Sequence, residues 1–187
     1  GVRLETQICA LGGSIATPIS GIEAEVIEVM NFEDLEKLGT DKIKGKIVFY
    51  NRPMEPTHIH TFNAYGKAVN QRWAGAMNAS KYGAVATVTR SMGLKVDKFP
   101  HTGSMQYVDS LPKIPAVAIS TEGAEALSTL IRANKTAKLF IKTNCQTLPD
   151  AESYNVIGEF KGTEKPNEYI VVGGHLDAWD NGSGAHD

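Results

Sequence analysis

Ile22-Glu23-Ala24-Glu25-Val26-Ile27-Glu28-Val29 largely alternates apolar and acidic residues, the pattern of a strand with one buried face. Asn31 follows as the cap of a short helix, Phe32 to Leu38, which Gly39 ends. Lys44-Gly45-Lys46 turns into a buried strand through Tyr50, and Asn51-Arg52-Pro53 breaks it. A loop from Met54 to Phe62 leads to a long alanine-rich helix, about Tyr65 to Tyr82, closed by Gly83. Ala84 to Thr89 reads as the next strand. From Arg90 to Pro112 the chain is polar and punctuated by Gly and Pro; a connection this long is either functional or mobile.

Ile114 to Ile119 returns to strand, with Pro115 marking its start or an edge. Thr121 caps a helix from Glu122 to Ala133, where Ala126, Leu127, Leu130 and Ile131 form one apolar face. Lys138 to Thr143 alternates again. Leu148-Pro149-Asp150-Ala151 has the composition of a linker. Tyr154 to Phe160 and Glu168 to Val172 then read as two strands around a turn at Gly162 to Asn167. The class is α/β. A compact unit at about 18–147 follows a strand-containing lead-in, 1–17, and precedes the opening strands of a second domain, 148–187.

With 187 residues, 42% of them hydrophobic and 21% charged, the chain has enough apolar material for a core. A net charge of −2 argues against a nucleic-acid or anionic-membrane partner. No apolar run approaches the ~18 residues of a membrane span. The start, Gly1-Val2-Arg3-Leu4-Glu5, lacks the pattern of a secretory leader, so the chain reads as beginning and ending inside something longer. Cys9 and Cys145 fit no CxxC pattern; they are either two buried thiols or a disulfide bracketing the central unit.

The chemistry concentrates at the end, in GGHLDAWDNGSGAHD. Residues i and i+2 of an extended segment share a side, so His175 and Asp177 can act together. Imidazole is a common zinc ligand, and a carboxylate on its far nitrogen fixes the tautomer. Asp187, past a flexible Asn181-Gly182-Ser183-Gly184 loop, can fold back to bind the same metal or bridge two. The bland alternative is that His-Leu-Asp caps a strand with hydrogen bonds. Asp180 either adds a hydrogen bond behind the site or caps the Asn-Gly turn. Asn181-Gly182-Ser183 matches a glycosylation acceptor, which conflicts with a metal there.

Elsewhere, His58-Ile59-His60 reads as a loop, His101 as a turn residue, and Arg72 and Trp73 as a solvated charge and packing. Ser104 and Ser183 have no evident His-Asp partnership, so a serine hydrolase is unsupported.

Val171-Val172-Gly173-Gly174-His175-Leu176-Asp177-Ala178-Trp179-Asp180, followed by Gly184-Ala185-His186-Asp187, resembles the first metal-binding segment of the co-catalytic zinc peptidases. That family includes leucyl aminopeptidases and glutamate carboxypeptidases. Leu11 to Pro18, Gly45 to Asn51, Pro100 to Gly103 and Leu111 to Pro115 resemble members of it in the same order. The resemblance implies that His175 is a zinc ligand, Asp187 the carboxylate bridging two zinc ions, and Asp177 the catalytic-site partner orienting His175. It implies that 18–147 is a protease-associated domain, a mixed sheet or partial barrel flanked by helices, inserted in a zinc-exopeptidase α/β domain of which 148–187 holds the first strands. Residues of the 90–112 loop would border the substrate cleft.

The implied activity is metal-assisted hydrolysis of dipeptides or short peptides, in an extracytoplasmic (secreted or periplasmic) protein that allows a homodimer. The family's remaining ligands, a Glu pair, an Asp and a His, would lie beyond Asp187, so these residues alone are expected to be inactive. A different class of reading makes the α/β unit an interaction module that binds peptides, covers the cleft or mediates dimerisation.

Overall fold

The computed structural model describes residues 4–134, 136–179 and 182. It divides into two units, Gly1–Gln146 and Thr147–Asp187.

The first unit is built on six strands: β1 (Ile8–Ala10), β2 (Ile22–Val29), β3 (Ile47–Tyr50), β4 (Ala86–Arg90), β5 (Ala116–Ile119) and β6 (Lys138–Ile141). They form one sheet in the order β1-β5-β4-β3-β2-β6. β2, β3, β4 and β5 run parallel to their neighbours in that series, while β1 and β6 close the two edges antiparallel. β2 divides its length: Ile22 to Glu25 pair with β6, and Val26 to Val29 pair with β3. The sheet curls, so that Ile8 of one edge strand and Leu139 to Ile141 of the other line a single cleft of about 570 Å³ with Leu127 and Leu130.

β3 and β5 are buried at every position, which is the mark of parallel strands covered on both faces. Their period of two sorts the side chains into two cores. Val48, Tyr50, Ala116 and Ala118 pack with Leu35 and Ile43 of α1 (Phe32–Ile43) and with Ala76 and Ala79. Ile47, Phe49, Val117 and Ile119 pack on the other face with Ala124 and Leu127 of α5 (Thr121–Ala133).

The helix Phe32–Leu38 forms as expected. Asn31 Oδ1 accepts the Asp34 N–H at 2.8 Å, satisfying a donor that the helix start leaves open. At Gly39 (φ 62°) the chain kinks, and a further helical turn carries it to Ile43. α5 starts one residue earlier than the sequence suggests: Ser120 Oγ, not Thr121, caps it by accepting Gly123 N–H. The Thr121 hydroxyl instead accepts Asp97 N–H and donates to the Lys95 carbonyl. Pro115 stands at a strand start rather than an edge, since β5 lies between β1 and β4.

The single helix expected over 65–82 is replaced by three short ones, α2 (Thr61–Ala68), α3 (Asn70–Trp73) and α4 (Gly75–Ser80). The cause lies in what the segment packs on. Gln71, 1% exposed, turns inward to bond the Arg52 backbone at both N–H and carbonyl. Tyr50 donates its hydroxyl proton to the Gly75 carbonyl at 2.8 Å. Its ring takes the space where a Gly75 Cβ would stand, 2.8 Å from Tyr50 Cε2. An uninterrupted helix would leave these buried polar groups without partners.

The 90–112 connection is irregular but pinned. Gly12 and Ser104 form a bridge, Gly12 N–H donates to the Gly103 carbonyl, and Thr102 Oγ1 donates to the Ala10 carbonyl. Tyr107 accepts Ile15 N–H and donates to the Ile114 carbonyl, and its burial raises the phenol's pKa. Cys9 and Cys145 form no disulfide.

In the second unit the turn near Gly162–Asn167 is present, closed by Glu168 N–H to the Lys165 carbonyl. The flanking strands, Tyr154–Phe160 and Glu168–Val172, are not formed among the described residues; Phe160 and Ile170 are almost fully exposed. Strand-prone sequence becomes strand only with a neighbour to take its backbone hydrogen bonds, and no described segment pairs with either.

Gly75→Ala drives a methyl into the buried Tyr50 ring and is expected to cost about 1–3 kcal/mol in urea unfolding. Gly66→Ala, in α2 with open space around it, is expected to be neutral or to stabilise by about 0.5–1 kcal/mol. Lys46 donates a hydrogen bond to Glu25, and that bond and its charge lower the Glu25 pKa from 4.5. The pair's contribution is present above the ordinary carboxylate range and is lost as pH falls through the lowered value. NMR titration should show Lys46→Met moving the Glu25 midpoint up.

Candidate metal centre

His175 and Asp177 lie in the irregular stretch after Val172. His175 Nδ1 is 2.7 Å from the Asp177 carbonyl oxygen and 3.1 Å from Asp177 Oδ1. Both partners are acceptors, so this geometry places a proton on Nδ1. A carboxylate on that nitrogen is the arrangement that orients a metal-ligating imidazole. The side chains are 49% and 92% exposed, so water competes for each contact. Among the described residues no group of three His, Cys, Asp or Glu side chains converges as a metal cage. Asp187, Asp180, Asn181 and Ser183 lie outside the described residues.

The remaining candidates take ordinary places. His58 sits in the loop before α2, its Nε2 3.1 Å from Lys67 Nζ, and His60 occupies the α2 N-cap position. His101 holds a turn, its Nδ1 2.9 Å from the Met92 carbonyl. Ser104 belongs to the bridge with Gly12. Trp73 is half exposed. Arg72 is not a solvated charge: its guanidinium lies 5.6 Å from the Tyr65 ring centroid, donates to the Tyr65 hydroxyl and reaches the Thr102 carbonyl. It also fills the space a Gly103 side chain would need.

Sequence reasoning missed a buried polar network at the carboxyl ends of β2, β3 and β4. Arg90, 6% exposed, pairs with Glu125 at 2.7 Å and donates to Asn51 Oδ1 at 3.1 Å. Asn51 and Ser128 both donate to Glu28 Oε1. The signal was an arginine closing a strand buried along its whole length. The Arg90 charge meets the Glu125 carboxylate, as burial requires.

Residues 155–187 match the family model described as Peptidase family M28. Over 180 residues, 96% of this chain, the sequence is 42% identical to carboxypeptidase Q of Xenopus laevis and 38% identical to carboxypeptidase Q of Homo sapiens. The chain spans 36% of the length of each of these relatives. The crystal structure of a peptidase M28 precursor from Shewanella amazonensis is similar in fold over 95% of this chain and 40% of its own. Its TM-score is 0.87 at 35% identity.

The His175 geometry generates a direct expectation. ¹⁵N NMR of the imidazole should show a proton on Nδ1. Asp177→Ala should preserve it there through the remaining carbonyl acceptor, and loss of the Nδ1 proton in that variant would contradict the geometry.

Proposed function

We propose that this relative of the M28 peptidases supplies the first metal-binding segment and an inserted domain of a di-zinc exopeptidase acting on dipeptides or short peptides. The observation that carries the reading is the contact of His175 Nδ1 with Asp177, in a segment that matches the family model. The donor chemistry fits the metal: an imidazole whose Nδ1 faces a carboxylate is a zinc-type half-site. His175 and Asp187 would hold zinc, with Asp187 between two ions. Zinc bound there supplies a Lewis acid for the peptide carbonyl and lowers the pKa of water. Asp177 orients His175 by accepting the Nδ1 proton.

Residues 18–147 form a protease-associated domain in this reading. Support for its boundaries comes from Thr17, whose N–H donates to the Thr143 carbonyl at 3.3 Å, and from Thr143 N–H, which donates to Thr17 Oγ1 at 3.1 Å. The lead-in is not separate from it, since β1 joins the same sheet beside β5. An extracytoplasmic location and a homodimer belong to the same reading.

Two ligands do not complete a zinc shell, which takes three or four. The 187-residue chain is therefore expected to hydrolyse nothing. In the protein carried to its relatives' full length, dipeptide hydrolysis should be abolished by chelator and restored by zinc. His175→Ala and Asp187→Ala should each lower kcat/KM by ~10³-fold or more. Asp177→Asn, which keeps an acceptor for Nδ1, should lose less. Chelator-resistant turnover, or wild-type rates in both ligand variants, would remove the proposal.

A further inference from the structure

A groove of about 400 Å³ opens beside the carboxyl ends of β3 and β4, lined by Met54, Thr61, Phe62, Tyr65, Met92 and Leu94, with Gly93 at its floor. In open α/β sheets this is the end where ligands collect. Phe62 is 85% exposed, and Leu94, Val96 and Phe99 on the facing loop are each more than half exposed. Apolar surface concentrated in this way marks an interaction site more often than an idle face.

The walls are preformed. Tyr65 stacks edge-on against Phe62, with centroids 6.4 Å apart, and is braced from behind by the Arg72 guanidinium. The facing loop is tied at Ser91, whose hydroxyl accepts His101 N–H, at Met92 through His101, and at Lys95 and Asp97 through Thr121. Two methionine side chains make the groove adaptable to the shape that enters it.

The surroundings select the charge of the partner. Of the seven Lys and Arg in residues 52–101, Arg90 is buried against Glu125 and Arg72 is engaged with Tyr65, which leaves five against the two carboxylates of that stretch, in a chain whose net charge is −2. Both carboxylates are turned to local backbone: Glu55 accepts Thr57 N–H, and Asp97 accepts Phe99 N–H. Lys67, Lys95 and Lys98 are exposed around the apolar surface. We infer that this groove docks one aromatic or branched aliphatic side chain of an acidic peptide segment. The concave form suits a single inserted side chain, whereas a bilayer would meet the loop tip alone. The peptidase reading places the 90–112 loop beside its cleft, but the test below reads binding without turnover, so its failure leaves that reading untouched.

The test uses the full 187-residue chain and a labelled pentapeptide, blocked at both ends, with phenylalanine between two pairs of glutamates. Fluorescence anisotropy should show saturable binding that weakens with salt. Replacing the phenylalanine by alanine, or the glutamates by lysines, should weaken it ~10-fold or more. Leu94→Asp should do the same, and Lys95→Glu with Lys98→Glu should lower both affinity and salt dependence, with unchanged thermal melts in each case. Equal binding of the acidic and basic peptides, or full binding by Leu94→Asp, would overturn the inference. So would absence of peptide binding alongside self-association, or alongside capture on phosphatidylserine vesicles, that Leu94→Asp abolishes.

Discussion

Burial of the central strands on both faces is the constraint from which the first unit follows. Ile47 to Tyr50 and Ala116 to Ile119 have no solvent side, so every neighbouring element must supply apolar cover or a hydrogen-bond partner. α1 and α4 answer on one face and α5 on the other. Where the cover brings polar groups, most find partners: Tyr50 the Gly75 carbonyl, Gln71 the Arg52 backbone, Arg90 both Glu125 and Asn51, while Thr87 Oγ1 and Arg90 Nε are buried without one. The breaks in the helical segment 61–80 follow from the same constraint, because the shape of Tyr50 and the needs of Gln71 outrank helix propensity.

The strands and caps that depend on neighbours in sequence are legible in the sequence itself. The alternation of β2, the apolar run of β3, the Asn31 cap and the position of Pro115 all depend on local chemistry. Expectation and fold diverge where a distant side chain decides. Nothing near Ala74 and Gly75 in sequence reveals the Tyr50 ring that interrupts the helix. Ser120 and Thr121 are both good caps, and the choice between them is made by Lys95 and Asp97, which claim the threonine. Likewise Tyr154–Phe160 and Glu168–Val172 have strand composition, yet composition supplies no pairing partner.

The candidate centre is legible to the extent that it is local. The two side chains of His175 and Asp177 do meet, but across a bend at Leu176 rather than along the extended backbone that the i, i+2 argument assumes. Convergence with Asp187 is a question of tertiary structure that short-range pattern does not address. The buried Arg90 network and the bracing of Tyr65 by Arg72 leave little trace in the sequence for a related reason: both are assembled from separate parts of the chain.

The mutual hydrogen bonding of Thr17 and Thr143 ties the chain just before β2 to the chain just after β6. Because Ile22 to Glu25 of β2 also pair with β6, the two contacts share one loop closure, whose cost is met once for both. Fraying of the unit would begin at this edge and release β6 before the doubly covered strands at the centre.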